Sequence, residues 1–406
     1  MPEPLETRLA EFAAALREAG AIRSDAVEHA FAIVARHRCV PQFRYGPKTI
    51  TVPQDEPPSG EVLDLVYSHM SLLTSTGQDG GHPSSSSAPT LMARMLEALD
   101  LHPGMRVLEI GAGTGYNSAL ITTITGAPVV TVDAGLATAQ SAAESIRRLG
   151  LDHQVTVVHG DGYFGEPAGA PFDRIIVTCG VAGLSPHWLD QLAPDGLILA
   201  PVAHGGVHPI LATTNSGGTV SANAVLWADF MSAAGPLRPA DLVGHDPADY
   251  IPPAPVTRIP DASPARTTAH YHDLWFFLAS RDSRITRAYL DDDTVDTTTG
   301  ACALHTPRGT AWVHDDGSIT ATGEPTVADE LRALIHEWAS IGQPALTQFT
   351  APFEPADTDQ PLWTPSQWTV NSKQLAATWQ PCAGGCLAAG KPAAGSRARS
   401  PDADLG

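Results

Sequence analysis

Residues 107 to 117 run Val107-Leu108-Glu109-Ile110-Gly111-Ala112-Gly113-Thr114-Gly115-Tyr116-Asn117. An apolar strand meets a carboxylate and then three glycines at alternate positions. Glycine tolerates positive φ and carries no Cβ, so such a loop turns sharply and lets its backbone approach a ligand. A helix starting near Tyr116 would offer free N–H groups to whatever lies there. The chemistry implied is the binding of a nucleotide-like small molecule.

Which molecule follows from the spacing. A dinucleotide loop uses G-x-G-x-x-G, its third glycine allowing close helix–strand packing. Here the pattern is G-x-G-x-G, with Tyr116 where that third glycine would stand. Glu109 would repel a pyrophosphate but suits a cationic ligand. S-adenosylmethionine, with its sulfonium, ammonium and ribose diol, fits. Two further acids follow at strand ends. Val129–Val132 runs into Asp133, placed to accept from both ribose hydroxyls, and Val155–Val158 leads to Gly160-Asp161-Gly162, where Asp161 can take the adenine amino group. The expected cofactor contacts are Glu109, Gly111, Gly113, Gly115, Tyr116, Asn117, Asp133, Asp161 and Gly162. Residues 172–178 form a fourth strand, almost wholly apolar, as a parallel sheet covered on both faces requires. The fold class is α/β: a Rossmann-like S-adenosylmethionine-dependent methyltransferase.

Over residues 1–235 the chain resembles the protein-L-isoaspartate O-methyltransferases. The resemblance is carried by Ser87-Ala88-Pro89, residues 107–121, Gly160–Tyr163, Ala170–Thr178, and Gln191–Leu197 followed by Pro201-Val202. It implies methylation of a peptide carboxylate on a peptide or protein bearing Asp or isoaspartate. Three features depart from the family pattern. His82-Pro83-Ser84-Ser85-Ser86-Ser87 replaces the usual Gly-x-Gly-Gln-x-Ile-Ser, Asp133 replaces the customary Glu, and about 170 residues follow the point where a compact repair enzyme stops. These features look like the branch associated with ribosomally made, modified peptides of the lanthipeptide and graspetide type. Members of that branch methylate an aspartate of a cyclised precursor, and the ester collapses to a succinimide. Two alternatives stand beside this: a general repair enzyme for isoaspartyl residues, and a cofactor-binding partner protein without turnover.

The chemistry needs little acid–base help. A side-chain carboxylate titrates near pH 4, so it is already an anion at neutral pH. Holding its oxygen in line with the methyl carbon and sulfur is worth up to roughly 7–11 kcal/mol in well-oriented systems. Ser87 is the candidate for orienting the acceptor, because a hydroxyl donates to a carboxylate. Ser86 is a second catalytic candidate, and Ser85 a substrate contact. The bland alternative for Ser84–Ser87 is a polar loop.

Composition narrows the partners. The net charge of −20 excludes a nucleic-acid binder, which needs clustered Lys and Arg. No apolar run approaches 18 residues, so no membrane span is expected, and the start at Met1-Pro2-Glu3-Pro4 does not read as a signal peptide. Cys39, Cys179, Cys302, Cys382 and Cys386 are too scattered for a disulfide framework, and no metal site is expected. The simple reading is a cytoplasmic monomer.

The elements that must position these residues follow from periodicity. Residues 5–19 and 25–37 read as amphipathic helices forming an N-terminal cap, 49–53 as a short strand, and 90–99 as the helix entering the sheet. Strand–helix alternation over roughly 100–235 completes a catalytic domain of residues 1–235. Residues 236–380 read as a smaller α+β accessory domain that selects the peptide, opened by a proline-rich linker at 236–266. Within it, 274–279 reads as a buried strand, 301–304 with 310–313 as a hairpin, and 326–341 as a helix. Trp363, Trp368 and Trp379 suit either core filling or a substrate groove, with Trp363 and Trp368 taken as substrate contacts. Residues 381–406, rich in Ala, Gly and Pro, read as a disordered tail.

Overall fold

The computed structural model describes residues 4–77, 83–240, 257–259, 267–289, 300–356 and 360–371. Most of the proline-rich stretch, with Trp379, Cys382, Cys386 and the 381–406 tail, lies outside the described residues.

The N-terminal cap comprises helices α1 (Leu5–Glu18) and α2 (Asp25–Ile33), strands β1 (Gln42–Tyr45) and β2 (Lys48–Thr51), helix α3 (Gly60–Val66), strands β3 (Leu72–Thr76) and β4 (Pro83–Ser86), and helix α4 (Pro89–Leu99). Helix α1 buries Leu9, Phe12, Ala13 and Leu16 along one stripe, the i, i+3, i+4, i+7 pattern of an amphipathic helix. The Ser24 hydroxyl caps α2 by accepting from the Val27 N–H at 3.4 Å. Helix α2 stops at Ile33 rather than reaching residue 37, because Val34 is extended and a 3₁₀ turn occupies Arg36–Cys39. The four strands pair in the order β2-β1-β3-β4.

The central sheet begins with β5 (Val107–Ile110), α5 (Tyr116–Thr125), β6 (Val129–Asp133), α6 (Leu136–Arg148) and β7 (Val155–His159). It continues through β8 (Phe172–Val177), α7 (Pro186–Gln191), β9 (Leu192–Pro201), β10 (Ile210–Ser216) and β11 (Thr219–Leu226). Strands β7-β6-β5-β8-β9 are parallel, β10 runs antiparallel to β9, and β11 runs antiparallel to β10. Strand order reverses at β5, so the crevice for a ligand opens outside its carboxyl end.

The C-terminal part holds β12 (Thr257–Ile259), α8 (Thr268–Arg281), β13 (Ile285–Ala288), β14 (Ala301–Thr306), β15 (Gly309–Val313), β16 (Ile319–Gly323) and α9 (Pro325–Ser340). Strands β17 (Phe349–Pro355), β18 (Trp363–Pro365) and β19 (Thr369–Val370) follow. The five strands β12-β16-β15-β14-β13 form an antiparallel sheet that includes the expected 301–313 hairpin.

Two expectations are corrected here. Residues 274–279 lie inside helix α8, not in a strand. Leu274, Trp275, Phe276, Phe277 and Leu278 are all buried, and a helix enclosed on every side loses the periodicity that would have revealed it. Residues 349–370 do not stay within the accessory fold: β17 pairs with β11 and extends the catalytic sheet to ten strands, with β18 and β19 on its outer edge. One continuous core accordingly joins Val177, Ile198 and Val202 to Phe276, Phe349 and Trp338.

Asp273 of α8 sits at this junction and accepts from the Leu346 N–H at 2.8 Å. Burial pushes its carboxyl up to about 6, against the hydrogen bond from Leu346 and the charge of His270. A raised folded-state pKa means the protonated form favours the fold. Its contribution is complete below the unfolded value near 4 and is lost as pH rises through about 6. Asp273→Asn should therefore raise stability by up to ~3 kcal/mol at pH 7.5 and by only ~1 kcal/mol at pH 4.5, with Tm rising accordingly. Calorimetry of both proteins at both pH values checks this; an equal change at the two would refute it.

Candidate active site

The glycine loop after β5 adopts the positive φ its sequence implies, with +101° at Gly111, +53° at Gly113 and +78° at Gly115. Each glycine is also required by a neighbour. A Cβ on Gly111 would lie 2.4 Å from the Thr178 hydroxyl, and one on Gly115 would lie 3.1 Å from the Ala142 carbonyl of α6. One on Gly113 would meet the Ser85 carbonyl at 3.3 Å. Thr178 fastens the loop by donating to the Gly111 carbonyl at 2.6 Å. Its role was missed in the sequence, where it reads only as the end of an apolar strand.

Asp133 at the end of β6 accepts from the Gly113 N–H at 3.1 Å through Oδ2 and from the Gly135 N–H at 2.9 Å through Oδ1. Asp161 is exposed, with Oδ1 capping the Tyr163 N–H at 2.9 Å. Gly162 is buried against Ile110, where a Cβ would come within 2.6 Å of its methyl group, and its carbonyl accepts from Trp188 Nε1 at 2.8 Å. Gly162 therefore serves packing at the tip of β5.

Glu109 and Tyr116 are not available to a ligand. Glu109 is fully buried, one oxygen accepting from Asn117 Nδ2 at 2.8 Å and the other from the Ser118 hydroxyl. Burial pushes its carboxyl above the usual range, opposed by those two hydrogen bonds. It ties the strand to the first turn of α5, and Asn117 is spent on the same contact. Tyr116 is also fully buried, its ring edge-on to Phe31 of the cap at 6.1 Å. Its position in the motif made it resemble a ligand contact; packing of the cap made it core.

A cleft of about 600 Å³ opens at the carboxyl ends of β5, β6 and β7. Its lining includes Gly113, Thr114, Gly135, Thr138, Ser141 and His159, together with Ser84 and the strand β3 residues Thr74 and Ser75. No Asp, Glu, Lys or Arg side chain is among the lining residues. A hydroxyl-rich wall suits a ribose diol, and among the described lining residues no Lys or Arg stands to balance a pyrophosphate. The residues present thus fit S-adenosylmethionine. The hydroxyls at positions 74, 75, 138 and 141 carry no motif, so only the fold reveals them.

The serine run divides between faces. Ser84 lines the cleft, and Ser85 places its carbonyl against Gly113. Ser86 is buried, its hydroxyl accepting from Arg36 Nε at 3.3 Å, which corrects its candidacy as a catalytic group. Ser87 is half-buried in the link between β4 and α4. Among the substrate tryptophans, Trp368 is buried, its ring 4.9 Å from that of Phe276, so it fills core rather than a groove. Trp363 pairs through its backbone with Leu184 and is half-buried. Among the described residues, no cluster of His, Cys, Asp and Glu is arranged for a metal, and no helix is long and apolar enough to cross a membrane.

Comparison with known proteins agrees with this geometry. The family model for protein-L-isoaspartate (D-aspartate) O-methyltransferase matches residues 8–235. The protein-L-isoaspartate O-methyltransferase of Thermotoga maritima is 39% identical over 140 residues, covering 34% of this chain and 44% of the relative. That of Methanopyrus kandleri is 34% identical over 189 residues, covering 46% of this chain and 73% of its own. The chain thus spans less than half the length of the first relative. A solved protein-L-isoaspartate O-methyltransferase superposes with a TM-score of 0.51 at 25% identity, covering 89% of this chain and 98% of its own. The fold is that of an S-adenosylmethionine-dependent methyltransferase, and the chain belongs to the protein-L-isoaspartate O-methyltransferase family.

Proposed function

We propose that the protein transfers a methyl group from S-adenosylmethionine to the side-chain carboxylate of an isoaspartyl residue in a peptide or protein. The observation that carries this reading is the contact of the serine run with the glycine loop, Ser85 against Gly113. Ser87, two residues further along the same run, is the residue we assign to orienting the acceptor. When bound, the cofactor supplies an electrophilic methyl group on a sulfonium. The protein's own residues supply position. Asp133 accepts from the ribose, Asp161 from the adenine amino group, and the Ser87 hydroxyl donates to the acceptor carboxylate. No proton need be removed, since the carboxylate is ionised at neutral pH. The ester formed is more electrophilic than the acid, so the next backbone nitrogen can attack it, expelling methanol and leaving a succinimide.

A second reading makes the acceptor an ordinary aspartate of a ribosomally made, modified peptide. The hydroxyl-rich strand Pro83–Ser86, where the family has a glycine-rich approach, favours it. The long C-terminal part does not discriminate, because the solved family member covers 89% of this chain. Loss of turnover is disfavoured by the intact Asp133, Asp161 and Ser87. The net charge of −20 opposes the approach of acidic substrates of either kind and makes association sensitive to ionic strength.

Two peptides differing only in Asp against isoaspartate at one position separate the readings. Methyl-labelled cofactor should label the isoaspartyl peptide, with the Asp peptide at background; the reverse preference would establish the second reading. Ser87→Ala should lower kcat roughly 10–100-fold, the worth of a hydrogen bond to a charged group, while cofactor Kd stays within about twofold. Asp133→Ala should instead raise cofactor Kd about tenfold or more by calorimetry. Equal losses of both quantities in both variants would dissolve these separate roles.

A further inference from the structure

We propose that Arg36 is the positioning residue of the acceptor site, holding the backbone that carries Ser87. The inference rests on the reading of Ser87 given above. Arg36 is fully buried in the turn after α2, and among the described residues no ion pair involves it. A buried charge without a counter-ion costs several kcal/mol unless hydrogen bonds compensate. Here they converge from two segments. Nη1 donates to the carbonyls of Val66 at 2.7 Å and Ser68 at 3.4 Å. Nη2 donates to those of Met70 at 3.3 Å, Ser86 at 3.3 Å and Ser87 at 2.9 Å, and Nε to the Ser86 hydroxyl at 3.3 Å.

The placement of these acceptors decides what Arg36 does. Residues 66–70 leave α3 and lead into β3, which pairs with β4 through Leu72↔Ser86 and Leu73↔Ser85. Arg36 thus ties the segment entering β3 to the end of β4 where the chain turns into α4. The same grip turns Ser86 inward and fixes the carbonyl of Ser87, from whose backbone the acceptor hydroxyl projects. Ser85, two residues before Ser87, rests its carbonyl on Gly113. A shift of this corner would therefore move Ser87 relative to the cofactor cradle. Burial lowers the guanidinium pKa to about 10, so Arg36 keeps its charge at neutral pH. A lysine cannot substitute, since its three donors share one nitrogen and cannot fork across two segments.

The test uses the full chain carrying Arg36→Lys, Ser87→Ala or both. S-adenosylhomocysteine calorimetry counts the competent sites and gives Kd, and turnover of the isoaspartyl peptide is expressed per competent site. For Arg36→Lys we expect Kd within about twofold and kcat per site down roughly 10–100-fold, the cost of a small misplacement. The double variant should be no slower than Ser87→Ala alone, because residues acting through one group are not additive. Unchanged kcat per site in Arg36→Lys, with activity lost only as sites are lost, would make Arg36 merely structural and overturn the proposal. Multiplicative losses in the double variant would overturn it too. Full turnover in Ser87→Ala would strike down the reading of Ser87 itself, whereas an impaired Ser87→Ala beside an unimpaired Arg36→Lys strikes Arg36 alone. If Arg36→Lys does not fold, Ser86→Ala removes one acceptor of the grip: a lower kcat per site at unchanged Kd supports the proposal, and an unchanged kcat overturns it.

Discussion

Everything at the active end of the sheet depends on how closely the backbone after β5 is approached by its neighbours. Thr178 presses on Gly111, Ser85 on Gly113 and Ala142 on Gly115, each at a distance that leaves little or no room for a Cβ. The positive φ of all three glycines is the backbone form of the same constraint. Because these contacts come from β8, β4 and α6, three parts of the chain are brought to one loop. The glycine loop and strand β4 are thereby fixed together by packing, before any ligand contributes.

The two faces of the central sheet are covered differently, and this shapes the site. One face packs on the N-terminal cap, where Phe31 meets Tyr116 and where Arg36 reaches the hairpin. The other is continuous with the C-terminal core through Phe276, Phe349 and Trp338. The C-terminal part is also stitched to the segments following β9 and β11. Trp275 Nε1 donates to the Gly205 carbonyl at 2.8 Å, Arg287 pairs with Asp229 at 2.6 Å, and Asp229 accepts from His208 at 3.0 Å. His208 in turn lies so close under Gly180 that a Cβ there would be 2.5 Å from its ring. The accessory sheet is thus a support for the wall beside Thr178, in addition to being a fold of its own.

The parts of this architecture that were legible in the sequence are those set by local rules. The three glycines, the acids closing β6 and β7, the apolar β8 and the amphipathic stripe of α1 each declare themselves within about ten residues. The illegible parts were decided by burial. Leu274–Leu278 is apolar enough for a strand or an enclosed helix, and only its surroundings chose the helix. Trp368 has the composition of a binding residue and the location of a core residue. Arg36 carries no motif at all, since its partners are main-chain carbonyls that any residue would provide.

The same division separates the roles within the candidate site. Sequence alone determined that a glycine loop with following acids would bind a cofactor without phosphates, because turn geometry and carboxylate chemistry depend on residue type and spacing. Tertiary structure decided which of those residues face the cofactor. Glu109 is sealed beneath the loop by Asn117 and Ser118, Tyr116 is claimed by the cap, and Asp133 accepts from the Gly113 and Gly135 N–H groups. It also decided that Ser86 turns inward and Ser85 lies against Gly113. A residue's chemistry is written in its side chain, but its access to a ligand is settled by what packs against it from distant parts of the chain.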